Sequence, residues 1–120
     1  MNKLNAKLQD RLNGMIEIAQ RNIDTLASNL TSGDKGDPYQ VLEWSGQAFQ
    51  AAADLRVCRQ LLAPLQAETV DAEALLAELQ KRIVQKASYA TNKSTSPLAN
   101  LMAEAELQCM AHIIDRMGWV

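Results

Sequence analysis

The last helical segment of the sequence, between Pro97 and Met117, carries apolar residues on two faces. One stripe follows the three- and four-residue spacing of a helix face and consists of Leu98, Leu101, Met102, Ala105, Cys109 and Ile113. A second stripe consists of Ala103, Leu107, Met110 and Ile114. A helix that is apolar around most of its circumference has to be covered on most sides. The segment is therefore either central to the fold or part of a subunit interface.

The rest of the sequence predicts one all-α domain over residues 1–120, a compact four-helix bundle-like unit. Apolar residues recur at helical spacing in four segments, and no segment shows the alternation of a strand. The predicted helices cover residues 2–30, 38–63, 71–90 and 97–117. Pro38 and Pro97 suit the first position of the second and fourth helices, and Pro64 is expected to end the second helix.

Composition places the chain among ordinary globular proteins. Its residues are 48% apolar and 22% charged, and the formal net charge is −2, which gives no general attraction to nucleic acid or to anionic membranes. No apolar run approaches the length of a membrane span, and no signal-peptide pattern is present. Two cysteines, Cys58 and Cys109, do not make a disulfide framework. We expect both to be reduced and buried in a cytoplasmic protein.

The second predicted helix changes character midway. Its first half has a clean polar stripe, made of Gln40, Glu43, Gln47, Gln50 and Asp54. Seven residues further along the same stripe the side chains are apolar, at Val57 and Leu61. Because no Gly or Pro lies between Ala51 and Leu62, we expect the helix to continue and its second half to be covered on an additional side.

Four polar residues stand on apolar faces and form a candidate cluster: Arg56, Arg59, Glu106 and His112. If the second and fourth helices pack together, an Arg–Glu pair satisfies both charges. Two alternatives stay open: the arginines extend their heads to water beside the core, or Arg56, Arg59 and His112 line a pocket for an anionic ligand.

The sequence offers no defensible catalytic, cofactor or metal motif. Cys109 and His112 give a single Cys-x-x-His, and even with Cys58 the set lacks the fourth ligand of a closed zinc site. No phosphate-binding glycine pattern accompanies Gly33 and Gly36. We therefore predict no cofactor and no metal, and the sequence favours a non-enzymatic role.

A modest basic patch of Lys81, Arg82 and Lys86 gives a nucleic-acid alternative. These residues follow a run of acidic ones, an order that also complements the dipole of the third helix. Aromatic residues that would stack on single-stranded bases do not accompany them.

The favoured interpretation is a small α-helical protein–protein interaction module that acts as a homodimer. Such a module is an adaptor, inhibitor or regulatory accessory protein, of the kind found in bacteria and phages. Its partners are a second copy and another protein, and no membrane is involved. The predicted interface consists of Val57, Leu61, Ala103, Leu107, Met110, Ile114 and Trp119. The alternatives are a nucleic-acid-associated regulator that uses the basic patch and a ligand-binding or enzymatic bundle that uses the four-residue cluster.

Overall fold

The computed structural model of the chain describes residues 3–32, 38–91 and 97–118, and these residues form four α-helices and no strand. The helices are α1 (Lys3–Ser32), α2 (Pro38–Gln66), α3 (Ala72–Thr91) and α4 (Pro97–Arg116). The prediction of an all-helical chain is confirmed for the described residues. The observed bounds lie within two residues of the predicted ones, except at the end of α2, and the starts of α2 and α4 coincide with them.

Each helix packs mainly against two others. α1 lies along α2, α2 contacts α4, α4 contacts α3, and a smaller contact between α3 and α1 closes the ring. The molecule measures 51 × 34 × 22 Å. The alternative of a central α4 covered by the three other helices is therefore wrong. The second half of α4 is covered by its two neighbours, α2 and α3, which explains the apolar residues on both of its faces there.

The hydrophobic core fills one end of the bundle, which we call the closed end. All four helices contribute to it, with the buried residues Leu8, Leu12, Val57, Cys58, Leu61, Leu62, Leu65, Ala72, Leu75, Leu76, Leu79, Cys109, Met110, Ile113 and Met117. A second, smaller cluster of Ala19, Ala51 and Leu55 joins only α1 and α2. The opposite end, which holds the first halves of α2 and α4, is called the open end below.

The α2 helix continues through Pro64 to Gln66, so the prediction that it ends at Pro64 is wrong. Proline leaves the carbonyl of Gln60 without its usual donor, but Gln60 is exposed and water can replace that donor. Leu65 is completely buried, and burying a leucine stabilises by about 2 kcal/mol. The carbonyl of Pro64 also accepts the amide of Thr69 at 3.1 Å, which is part of a Schellman cap.

The capping residue after α2 gives a stability prediction. Glu68 has φ of 59°, in the left-handed region that favours glycine. We expect Glu68→Gly to raise the free energy of unfolding by about 1 kcal/mol, as measured by urea denaturation. Glu68→Ala, which removes the same carboxylate but keeps the strain, is the matched control. Equal stability of the two variants would contradict the prediction.

The start of α3 is held by two side chains. Asp71 Oδ1 accepts the amide of Ala74 at 2.9 Å, as an N-cap residue does. Asn5 Oδ1, from α1, accepts the amide of Ala72 at 2.7 Å. The first bond caps α3, and the second holds the beginning of α3 against α1 at the closed end of the bundle.

Candidate functional site

The polarity of α2 reverses between its two halves. In the second half, the face that carries Val57, Leu61 and Leu65 is buried in the core. Seven residues span about two helical turns, so the same face carries Gln50 and Asp54 in the first half. The polar stripe of the first half therefore continues the core-facing side of α2: Gln50 and Asp54 are half-buried there, while Glu43 and Gln47, further toward the open end, are exposed. The expectation that α2 is unbroken and that its second half is covered is confirmed.

The inward face of the first half of α2 lines a polar cleft of about 390 Å³. The cleft lies between α1 and α2 at the open end and is lined by Asn22, Thr25, Leu26, Asn29, Trp44, Gln47, Gln50, Ala51 and Asp54. Gln50 Nε2 donates to Asp54 Oδ1 at 3.1 Å and to the carbonyl of Ala105 on α4 at 2.9 Å. These two bonds fix the inner end of the cleft.

The outward face of the same half of α2, together with the facing part of α4, carries apolar side chains. We call Leu42, Phe49, Leu101 and Met102 the outer strip. Leu42 is 68% exposed, Leu101 55% and Met102 38%. Phe49 lies between two shallow grooves, one of about 140 Å³ shared with Met102 and one of about 360 Å³ shared with Leu101. Phe49, Leu101 and Met102 thus adjoin one another across two helices, and Leu42 lies about two turns before Phe49 on the same face of α2.

An ion pair lies at one end of the outer strip. Arg56 Nη1 is 3.6 Å from Glu106 Oε1, and the side chains are 58% and 14% exposed. The pair joins α2 to α4, which is one of the three arrangements that the sequence left open for these residues. Because Arg56 is mostly exposed, solvent screens the pair and its contribution to stability is small. Arg82 of α3 lines a cavity of about 560 Å³ with them.

The other members of the predicted four-residue cluster lie elsewhere. Arg59 Nη2 donates to Gln20 Oε1 on α1 at 3.5 Å, in an exposed position. His112 is exposed on α4. Among the described contacts, then, only Arg56 and Glu106 of that cluster meet, and the cavity beside them is lined by neither Arg59 nor His112.

The predicted interface residues divide into two groups. Val57, Leu61 and Met110 are buried in the core of this chain, so they are not accessible to a second chain in this packing. Ala103, Leu107 and Ile114 are half-buried, and Ile114 packs against the core. Trp119 lies outside the described residues. Of the second stripe of α4, Met110 and Ile114 are thus used inside the chain, while Ala103 and Leu107 keep part of their surface exposed.

The predicted basic patch is only partly described. Lys81 is exposed, and Arg82 Nε is 3.9 Å from Glu78 Oε1, one helical turn away. The side chain of Lys86 lies outside the part of the chain that the structure describes. Of the two described side chains, one is thus already near a carboxylate.

The two cysteines lie in the core at the α2–α4 contact, and both are free. A thiol–thiol hydrogen bond with Cys58, together with burial and the nearby carboxylate of Asp54, raises the pKa of Cys109 far above its ordinary value of 9.0. The prediction of two buried cysteines is confirmed. Within residues 3–32, 38–91 and 97–118, no three His, Cys, Asp or Glu side chains form a metal-binding group.

The raised pKa of Cys109 predicts a loss of stability at high pH. In the unfolded chain the Cys109 thiol ionises above about pH 9, whereas in the folded protein it stays protonated. Ionisation therefore stabilises only the unfolded state, and the free energy of unfolding falls as the pH rises above about 9. A single such group gives a slope of about 1.4 kcal/mol per pH unit. Urea unfolding between pH 8 and about pH 10 measures the slope, and Cys109→Ala should remove it. The same slope in both proteins would refute the assignment.

Sequence reasoning missed the outer strip because it placed Arg56 and Arg59 on an apolar face of α2 and took apolar faces to be covered. The sequence did contain a signal for this orientation, because the polar stripe of the first half of α2 continues into the apolar stripe of the second half that forms the core. If that second stripe faces inward, Phe49 and Leu42 on the opposite side must face outward. Leu101 and Met102, assigned to the covered stripe of α4, lie beyond the end of the core cluster.

Among the described helices, none is both long enough and apolar enough to span a membrane. Comparisons of this chain with protein families, with curated proteins and with solved structures give no match.

Proposed function

We propose that the protein is a small helical protein–protein interaction module that acts as a homodimer in the cytoplasm, and that the outer strip is its dimer surface. The observation that carries this proposal is the exposure of Leu42, Leu101 and Met102 beside Phe49 on two adjacent helices. Exposed apolar surface that extends across neighbouring elements is typical of interaction sites, and aromatic residues and methionine are enriched in them.

The charges around the outer strip favour a second copy as the occupant. Arg56 and its ion-pair partner Glu106 line the groove on one side of Phe49, and Glu104 lines the groove on the other side. A two-fold axis near Phe49, directed across the line that joins the grooves, exchanges them and brings the exposed Arg56 of each subunit toward Glu104 of the other. An isologous interface requires this kind of self-complementarity. The pairs lie at the rim, where they specify orientation more than they add affinity.

A dimer built this way leaves the outer faces of α1 and α3 free for another protein. The contacts of α1 with α2 and of α3 with α4 are made within one chain, so dimerisation through the outer strip does not rearrange the bundle. The reduced state of Cys58 and Cys109 agrees with a cytoplasmic location. Another protein then binds the assembled dimer, as an adaptor or regulatory subunit requires.

Light scattering of the purified chain tests the proposal. We expect a mass of twice the 13.2 kDa of the chain, decreasing toward that value on dilution. We expect only partial dissociation by added salt, because screening weakens the rim pairs and leaves apolar burial intact. A mass of one chain at every concentration would refute the homodimer.

A further inference from the structure

The polar cleft at the open end is open to solvent along its outer part, where Asn22, Thr25 and Gln47 are exposed, and reaches the bundle interior at its inner end. Gln50 and Asp54, at its inner end, lie on the face of α2 that reaches the core at Cys58 and Leu61. Ligand sites of helical bundles are built in this interior position, from side chains on facing helices. The volume of about 390 Å³ is within the range of small-molecule sites.

The shape of the cleft is long and narrow. On α2 the lining residues run from Trp44 to Asp54, a distance of about 15 Å at the helical rise. The facing residues of α1 run from Asn22 to Asn29. An extended ligand therefore fits the cleft better than a compact one.

The chemistry of the lining excludes charged ligands. None of the described lining residues is Lys, Arg or His, so an anion finds no counter-charge and is repelled by Asp54. A polyamine could pair only one of its charges with a carboxylate of the described lining, that of Asp54, and its other charges would stay unpaired. Five neutral polar side chains, in contrast, offer hydrogen bonds to an uncharged ligand: Asn22, Thr25, Asn29, Gln47 and Gln50.

The hydrogen-bonding groups match hydroxyls. Each carboxamide presents donors and an acceptor side by side, and a sugar hydroxyl both donates and accepts. Gln50 Nε2 donates hydrogen bonds to Asp54 Oδ1 and to the carbonyl of Ala105. These two bonds hold the carboxamide in one orientation, in which its Oε1 can accept a hydrogen bond from a ligand. Trp44 supplies an aromatic surface with a polar edge at the outer end. We propose that the polar cleft binds a neutral, hydroxyl-rich chain, a short oligosaccharide.

Isothermal titration with maltotriose, cellotriose and chitotriose, each to about 10 mM, tests this proposal, since that range covers millimolar dissociation constants. We expect at least one of these sugars to bind and to change the fluorescence of Trp44 in a Trp119→Phe background, which keeps Trp44 as the remaining tryptophan of the two. Spermidine and glucose 6-phosphate should not compete. Absence of binding by all three sugars, or competition by either charged probe, would overturn the proposal.

A matched pair of variants locates the site. Gln47 and Gln60 are both exposed glutamines of α2; Gln47 lines the cleft and Gln60 does not. We expect Gln47→Ala to weaken sugar binding about tenfold, as the loss of a ligand hydrogen bond does, and Gln60→Ala to leave it unchanged. Far-UV circular dichroism confirms that both variants fold. Equal affinities would place the sugar elsewhere and refute the assignment to the cleft.

Discussion

Replacing Leu65 with alanine should lower the free energy of unfolding by about 3–4 kcal/mol. Leu65 is completely buried at the closed end, in contact with the core cluster to which all four helices contribute. Leu→Ala substitutions in a core cost about 2–5 kcal/mol, because the transfer free energy is lost and a cavity remains. Urea denaturation measures the change, and thermal unfolding should show a midpoint lower by on the order of 10 °C.

Gln47→Ala is the matched control for this prediction. Residues 47 and 65 are about five helical turns apart and so lie on the same face of α2. At position 47 that face lines the polar cleft, and we expect a change of no more than about 0.5 kcal/mol. A loss at Gln47 as large as the loss at Leu65 would mean that the packed interior extends to the open end, contrary to the structure.

Introducing two carboxylates into the outer strip, as Leu101→Glu with Met102→Glu, should weaken dimerisation at least about a hundredfold, or about 2.8 kcal/mol. Both side chains are exposed in the single chain, so the substitutions cost little in the monomer. In the dimer they would bury charges against apolar side chains without partners, which is unfavourable by several kcal/mol. Sedimentation equilibrium on the variant and the wild type measures the dissociation constants.

Val84→Glu controls for the effect of an added charge. Val84 is 70% exposed on α3, outside the outer strip, and its replacement should leave the dissociation constant unchanged. Glutamates at Leu107 and Met110 would be a poor test, because Met110 is buried in the core. If the Leu101 and Met102 variant still dimerises as tightly as the wild type, the outer strip is not the interface.

The helices were predictable because local signals define them. The apolar stripe of α1 includes Leu8, Leu12 and Ala19, and all three are buried. Pro38 and Pro97 begin their helices as the fixed backbone angle of proline favours. The prediction that α2 ends at Pro64 was wrong because the burial of Leu65, which is a tertiary effect, outweighs the local preference of proline to end a helix.

The orientation of the helices was only partly predictable. The placement of Glu106 between two apolar stripes indicated a partner, and Arg56 provides it. The same reasoning did not show which of Arg56 and Arg59 pairs with Glu106, because the direction in which a long side chain extends depends on the neighbouring helix. Arg59 instead reaches Gln20 of α1.

The polarity of the open end could not be predicted from periodicity. A helical pattern shows which residues share a face, and the inward face is then assigned by assuming that apolar residues face inward. That assumption holds for α2 where four helices enclose a dry core, at Leu61 and Leu65. It fails at Gln47 and Phe49, where the interior becomes a polar cleft and the apolar residues face outward.

The reversal of α2 polarity, with Phe49 facing a second copy and Gln47 facing the cleft, is the central claim. Light scattering of Phe49→Glu and Gln47→Glu tests it directly, since the two variants add the same charge two residues apart on opposite faces. We predict a mass of one chain, 13.2 kDa, for Phe49→Glu and twice that mass for Gln47→Glu. A dimeric Phe49→Glu together with a monomeric Gln47→Glu would contradict the claim.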